Sequence, residues 1–327
     1  MDQKTCLIFF GESLRPGGLV IYETTSTLYK QRFASILLSL PVPYFPTILT
    51  MKAIIMGAGD RSGVREAFNE LRLEIEKYVE IAAADFQWSR DMSQVDSDIA
   101  IVFGGDGSVL RSAHAMKEKQ RPVLAVNLGT LGFLANIQTE NLLQVLKTLR
   151  LDNLKTINHL MLECQIYQGT EVDTRLCLNE VVVFHEQGGF HIVNISLAVD
   201  RLPVTTFRCD GLILSTPFGS TGHSLSAGGP IIRKDLDAVV ITPISPHSLS
   251  QRPVVDSADR IYEMSTVGCG GKVLIDGTNV ATITSSDRVV ICRAGVSFQM
   301  LDLPGHGYYA SLRDKLGWSS KIIEEES

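Results

Sequence analysis

Residues 103–111 read FGGDGSVLR, three glycines around one aspartate, at the end of the apolar run IAIVF. Glycine lets backbone N–H groups approach phosphate oxygens, and a helix following such a loop adds its positive N-terminal end. Gly104, Gly105 and Gly107 are therefore candidate phosphate-binding residues. The stretch lacks the Lys-Ser/Thr of a P-loop and the glycine spacing of a dinucleotide fingerprint. An aspartate inside it repels phosphate unless a metal or a proton intervenes. Asp106 thus has three readings: it removes a proton from an attacking hydroxyl, it helps hold a Mg²⁺ that bridges phosphates, or it caps the helix.

Three further stretches bear on the choice. NLGTLGFL, 127–134, is a second Gly-rich turn after an apolar strand in the neighbouring crossover, and two such turns at one sheet edge make a pocket. LNEVVV, 178–183, puts Asn179 and Glu180 side by side at the head of an apolar strand. Strand neighbours face opposite ways, so at most one of the two is buried. The passage RCDGLILSTPFGSTGHSLSAGGPII, 208–232, gathers six Ser/Thr and five Gly among few charges. Hydroxyls and exposed amides suit sugar hydroxyls and adenine or amide edges, and small side chains permit close approach. His223 beside Ser224 finds no orienting acid at a triad's spacing, so nucleophilic hydrolase chemistry is not indicated.

The elements that carry these stretches alternate β-α-β from residue 51. KAIIMG, IAAADF, SDIAIVFG and PVLAVNLG read as short apolar strands, and SGVREAFNELRLEIEKYVE and SVLRSAHAMKEK as helices. Such strands imply a parallel sheet covered on both faces. TENLLQVLKTLRLDN closes this half. Beyond about 155 the pattern becomes β-branched and alternating: MLECQIYQG, LCLNEVVVFH, FHIVNISLAVD, DGLILSTP, VVDSADRIYEMSTV, GKVLIDGT and DRVVICRAGVSFQMLDL are strands at hairpin spacing. The expected fold is an α/β N-terminal domain with a parallel sheet, 51–155, followed by an all-β, sandwich-like domain, 156–305. YYASLRDKLGWSS reads as a C-terminal helix, within 306–327, that packs back on the α/β domain because Leu312 and Leu316 need a partner. Residues 1–50, broken by Pro41, Pro43 and Pro46, read as a dispensable extension, with Met51 a candidate start.

Composition is that of a globular protein, 45% hydrophobic and 20% charged, and a formal charge of −6 gives no reason to expect nucleic acid. The apolar pieces of 1–50 are too short to span a bilayer and are not placed as a signal sequence. Six scattered cysteines support neither a disulfide framework nor a zinc site, and point to a reducing, cytoplasmic setting.

In this order and spacing GGDGSVLR, NLGTLGFL, LNE and DGLILSTPFGSTGHSLSAGGPII resemble the NAD kinases, from about residue 51 to the C-terminus. GGDG by itself is shared with diacylglycerol- and sphingosine-type lipid kinases, and resembles a 6-phosphofructokinase turn. The STP-GST-SLSAGGP run is what separates NAD kinases from them. The resemblance implies a two-domain enzyme with its active site between the halves. The γ-phosphate of ATP, accompanied by Mg²⁺ or another divalent metal, or of polyphosphate in some members, passes to the 2′-hydroxyl of the adenosine ribose of NAD, giving NADP. It makes Asp106 the proton acceptor with Gly107 beside it, and places Arg111 near the phosphates. Asn179 and Glu180 match contacts to the adenosine portion. Arg208 and Asp210 match positions that reach NAD partly across a subunit boundary, which implies a homodimer or homotetramer. Thr221, Gly222, His223, Ser224, Leu225 and Ser226 match the stretch lining the dinucleotide, and His191 aligns after a one-residue shift.

The chain also departs from the pattern. Thr221-Gly222-His223-Ser224 stands where many members read Thr-Ala-Tyr-Ser, Phe218 where a small Thr is common, and Thr278 in VLIDGT where a larger amide or imidazole is usual. These changes leave the choice of NAD against NADH open. A lipid kinase and a non-catalytic dinucleotide sensor are the alternatives. The first would want an exposed apolar entry or a basic membrane-facing patch, and the second would bind NAD without forming NADP.

Overall fold

The computed structural model describes residues 51–129, 132, 134, 137–185, 192–303 and 308–317; the expected 1–50 extension and His191 lie outside them. The apolar runs form parallel strands β1 (Lys52–Gly57), β2 (Glu80–Asp85), β3 (Ile99–Phe103) and β4 (Val123–Asn127), in spatial order β2-β1-β3-β4, and β5 (Ile137–Gln138) pairs with β4. The helices between them are α1 (Val64–Ile75), α2 (Asp106–Met116) and α3 (Leu142–Thr148). Ala53 and Ile55 share one buried cluster with Phe68 of α1 and Leu142 and Leu146 of α3. Ile54 and Met56, on the other face, join Val109, Ala113 and Met116 of α2. Both faces of β1, β3 and β4 are buried, so these strands carry no polar alternation, whereas the edge strand β2 is partly exposed. Helix α1 is shorter than its pattern: it ends at Ile75, because Glu80 N–H must reach Met51 O at 2.9 Å to start β2 beside β1.

The rest is a β sandwich. One layer contains β6 (Thr156–Gln168), β7 (Glu171–Cys177), β9 (Val193–Val199), β10 (Leu202–Cys209), β14 (Tyr262–Thr266) and β17 (Arg288–Leu301). The other runs β13-β12-β11-β8-β15-β16, with β8 (Glu180–His185), β11 (Gly211–Ser215), β12 (Ala238–Ile244), β13 (Val254–Ser257), β15 (Gly271–Ile275) and β16 (Thr278–Ile283). Leu162, Cys164, Val181, Val183, Leu212, Leu214 and Ile291 pack between the layers. Two further α-helices are short, α4 (His223–Ser226) and α5 (Tyr308–Leu316); Leu312 of α5 is buried and Tyr309 bonds to Arg233.

Two features position the site. β17 runs along β6, shifts register between Arg293 and Ser297, and then pairs in parallel with β4 through Met300 and Val123. Such an irregularity bends a strand and increases its twist. The first layer of the sandwich is thus continuous with the parallel sheet. LCLNEVVVFH corrects the expectation of a single strand. β7 ends at Cys177 in the first layer, and β8 begins at Glu180 in the second. Leu178 and Asn179 cross between the sheets, so the polar pair sits at a corner rather than inside a ladder.

Candidate active site

The loop at the carboxyl end of β3 is built by its glycines. Gly104 has φ +133°, a conformation that side-chain-bearing residues rarely adopt, and a Cβ there would stand 2.3 Å from Ser108 Oγ. The Gly104 N–H donates to Val126 O at 2.9 Å, tying the loop to β4. The N-cap of α2 is Gly105, so Asp106 is the first helical residue and not the cap. Its Oδ1 instead accepts the Leu134 N–H across the crossover at 3.0 Å. Gly132 lies directly against it, since a Cβ on Gly132 would be 2.0 Å from that oxygen. The two Gly-rich turns therefore meet on Asp106. Arg61, in the turn after β1, brings Nη1 within 3.9 Å of where a Gly105 side chain would begin. The motif reading missed this cation; its signal is a basic residue in the Gly-rich turn GDRSG. Arg111 is exposed, and its guanidinium lies 5.9 Å from the Trp88 ring centroid, on a different side of α2 from Asp106.

A second cluster forms at the β7–β8 corner. Asp276, in the turn between β15 and β16, adopts φ +49° and buries its carboxylate, which is 2% exposed. It accepts the N–H groups of Leu178 at 2.9 Å, Asn179 at 2.7 Å and Glu180 at 3.2 Å, and His114 Nε2 of α2 lies 2.7 Å from it. Asp276 thus fixes the corner and links it to the helix that begins at Asp106. Glu180, the first residue of β8, is buried, and Asn179, in the crossing before it, is half-buried. Glu180 Oε2 and Asn179 Oδ1 are both buried without a hydrogen-bond partner. Burial and the nearby Asp276 charge push the Glu180 carboxyl up to about 8. It therefore carries a proton at neutral pH and can both donate and accept. Gly222 faces this pair: a Cβ there would sit 3.6 Å from Asn179 Nδ2 and from Glu180 Oε2. A Cβ on Gly219 would lie 2.3 Å from Asn179 O.

Within the 219–226 turn the roles divide. Ser224 is buried and bonds Thr242 at 2.9 Å, a structural contact. Thr221 and Leu225 are half-buried, and His223 and Ser226 are exposed. Phe218 is buried against His159 and Phe298, which explains a large ring where a small residue was expected. Arg208 and Asp210 are not brought to the cluster. β11 pairs with β8 so that Ser215 faces Glu180 and Gly211 faces Phe184. Asp210 therefore stands at the far end of the ladder, roughly 15 Å away at about 3.3 Å per residue.

Among the described residues no group of three His, Cys, Asp or Glu is placed to hold a metal ion. The site offers glycine amides, Arg61, one carboxylate in the phosphate bed and a polar, unpartnered corner. That combination suits an anionic donor beside a hydroxylated acceptor.

Comparison with known proteins agrees. Residues 55–153 match the model of the ATP-NAD kinase N-terminal domain, and residues 178–303 that of the ATP-NAD kinase C-terminal domain. The NAD kinase of Rhodopirellula baltica is 44% identical over 274 residues, covering 83% of this chain and 88% of that protein. The NAD kinase of Geotalea daltonii is 36% identical over 236 residues, covering 71% and 82%. Yeast NADH kinase, solved complexed with NADH, superposes with a TM-score of 0.76 at 22% identity, covering 84% of this chain and 89% of that one. An Archaeoglobus fulgidus NAD kinase in complex with ATP gives 0.67 at 24% identity, covering 83% and 100%. Likeness at that identity speaks for the shared fold.

Proposed function

The chain belongs to the NAD kinase family, and from that premise we propose that Asp106 is the base of an ATP-dependent phosphorylation of NAD. The enzyme is a phosphotransferase that uses ATP; both family models and the relatives set aside the lipid kinase and the non-catalytic sensor. Asp106 takes the proton of the adenosine-ribose 2′-hydroxyl. That oxygen bonds to the γ-phosphorus, the bond to the β-phosphate oxygen breaks, and ADP leaves with its electron pair. The amides of Gly105 and Gly107, with Arg61, hold the phosphates; the Gly104 N–H is committed to Val126 O and Arg111 lies against Trp88. Mg²⁺ enters as part of the Mg·ATP substrate.

The observation that carries this reading is the corner at Asn179 and Glu180. It leaves two buried polar oxygens without partners, Asn179 Oδ1 and Glu180 Oε2, and Glu180 Oε2 and Asn179 Nδ2 face Gly222, where a nucleoside can approach closely. The protonated Glu180 offers the adenosine both a donor and an acceptor. Thr221, Gly222, His223, Leu225 and Ser226 line the dinucleotide, and Ser224 supports them through Thr242. Arg208 and Asp210, remote from Glu180 in their own chain, serve the dinucleotide of a neighbouring subunit in a homodimer or homotetramer. Exposed Leu202, Val204, Val254 and Val255 on β10 and β13 suit such a contact. Free thiols at all five described cysteines fit a cytoplasmic setting.

One coupled assay tests the reading, with NAD and NADH as acceptors against Mg·ATP and polyphosphate as donors. NADP formed from NAD and Mg·ATP is the expected result. Failure of every pairing would overturn it.

A further inference from the structure

The proposed base and the nucleoside corner stand on different parts of the fold. Asp106 begins α2 of the α/β half, and Asn179 and Glu180 lie where β7 gives way to β8 in the sandwich. Transfer requires the acceptor hydroxyl at a fixed place beside the base, and an ångström of misplacement costs roughly 10²-fold. Leu178 and Asn179 lie between strands, so no ladder fixes them. Thr216 holds their carbonyls, from Oγ1 to Leu178 O at 2.6 Å and from N–H to Asn179 O at 2.8 Å. Their N–H groups go to Asp276.

Asp276 and Gly277 form the two-residue turn between β15 and β16, with φ of +49° and +77°. Positive φ at both positions is the primed turn of a tight hairpin. The Asp276 N–H donates to Glu180 O at 3.0 Å, which ties the turn to the corner. The two carboxylate oxygens then divide their partners. Oδ1 accepts the N–H groups of Asn179 at 2.7 Å and Glu180 at 3.2 Å, with the Cys177 thiol at 3.4 Å. Oδ2 accepts the Leu178 N–H at 2.9 Å and lies 2.7 Å from His114 Nε2. The carboxylate is 2% exposed and the imidazole 40%.

His114 is eight positions beyond Asp106 on α2, about 12 Å along one rigid element at about 1.5 Å per residue. Val109, Ala113 and Met116 lock that helix into the core of the α/β half. A carboxylate is planar, so a bond at Oδ2 from a fixed helix also sets where Oδ1 holds Asn179 and Glu180. The imidazole is the donor, because the carboxylate oxygen offers only lone pairs.

We propose that His114 is a positioning residue for the acceptor: by donating to Asp276 it sets the plane of the carboxylate that holds Asn179 and Glu180, and so places the nucleoside corner relative to Asp106. The role rests on the assignment of that corner to the adenosine of NAD. His114 acts through Asp276 and not on the substrate itself.

Binding of NAD, and of a non-hydrolysable ATP analogue with Mg²⁺, is measured on the full chain by calorimetry, beside steady-state NADP formation. His114→Ala puts a good helix former at a partly exposed site, weakens NAD binding about tenfold or more and lowers kcat, with analogue affinity within about threefold of wild type. His114→Leu, which keeps apolar bulk without a donor, behaves like the Ala variant. His114→Gln, whose amide N–H can donate to the carboxylate, keeps NAD affinity and kcat within about threefold of wild type. A merely structural role would lower both affinities together, and the amide would not rescue one of them. A Leu variant with normal NAD affinity and turnover overturns the proposal, as does a Gln variant as impaired as Leu. Analogue affinity that falls as far as NAD affinity overturns it too, as does failure of both Ala and Leu variants to fold, which would make the contact a structural one. A wild type that forms no NADP speaks against the kinase reading instead.

Discussion

Glu180 is only 5% exposed, and desolvation, with the Asp276 charge behind it, pushes its carboxyl up to about 8. Its folded-state pKa is thus above the ordinary 4.5, so its contribution to stability is fully present below pH 4.5 and is lost as pH rises toward 8. Glu180→Gln, which cannot titrate, removes this slope, on the order of 1.4 kcal/mol per pH unit at most. Urea unfolding of both proteins at pH 5 and pH 8 reads the difference, and parallel pH dependences would sink the assignment. Asp106 plays a different part, since its Oδ1 is tied to the Leu134 N–H. Asp106→Asn keeps shape but cannot accept the proton. It lowers kcat by roughly 10²–10⁴-fold while NAD binding changes little. Near wild-type turnover in that variant refutes the base assignment.

At the scale of elements, the site is made where turns meet. A methyl group on Gly132 would occupy the position of Asp106 Oδ1, at 2.0 Å, so Gly132→Ala must move the carboxylate or the turn. Activity should fall about tenfold to a hundredfold, since an ångström of misplacement costs that much. The glycine loop and the amide bed remain, so ATP-analogue binding persists, and unchanged kcat would contradict the packing described. Asp276 holds three successive N–H groups at the β7–β8 corner. Asp276→Ala orphans them and should destabilise the protein by about 3 kcal/mol or more. The denaturant midpoint reads this, and an unshifted midpoint would show that the corner stands without it. The corner was only half legible. LNE was visible as a polar break, yet one strand was expected where two lie in different sheets. The apolar pattern of LCLNEVVVFH continues on both sides of the crossing, and pattern alone carries no sign of a change of layer.

Over the whole molecule, β17 is the strand that makes one body of two textures. It pairs with β6 along its length, with β14 near its start and with β4 near its end. The His114–Asp276 contact adds a second tie between α2 and the sandwich. The described residues from 51 onward form one compact unit. The protein is therefore expected to unfold in one cooperative transition by calorimetry, and two separated transitions would show that the shared sheet does not couple the halves. Periodicity sufficed for the fold class, because a dry parallel strand and a half-buried hairpin strand carry different patterns of apolar residues. The short Gly-rich turns sufficed for the phosphate loop and its aspartate, because local backbone freedom is a property of residue type. Tertiary structure decided the rest: Leu134 under Asp106, Arg61 beside Gly105, and Asp276 behind Asn179 and Glu180. Each of these joins residues tens of positions or more apart. Their chemistry depends on charge, burial and distance, which arise only when the chain brings them together.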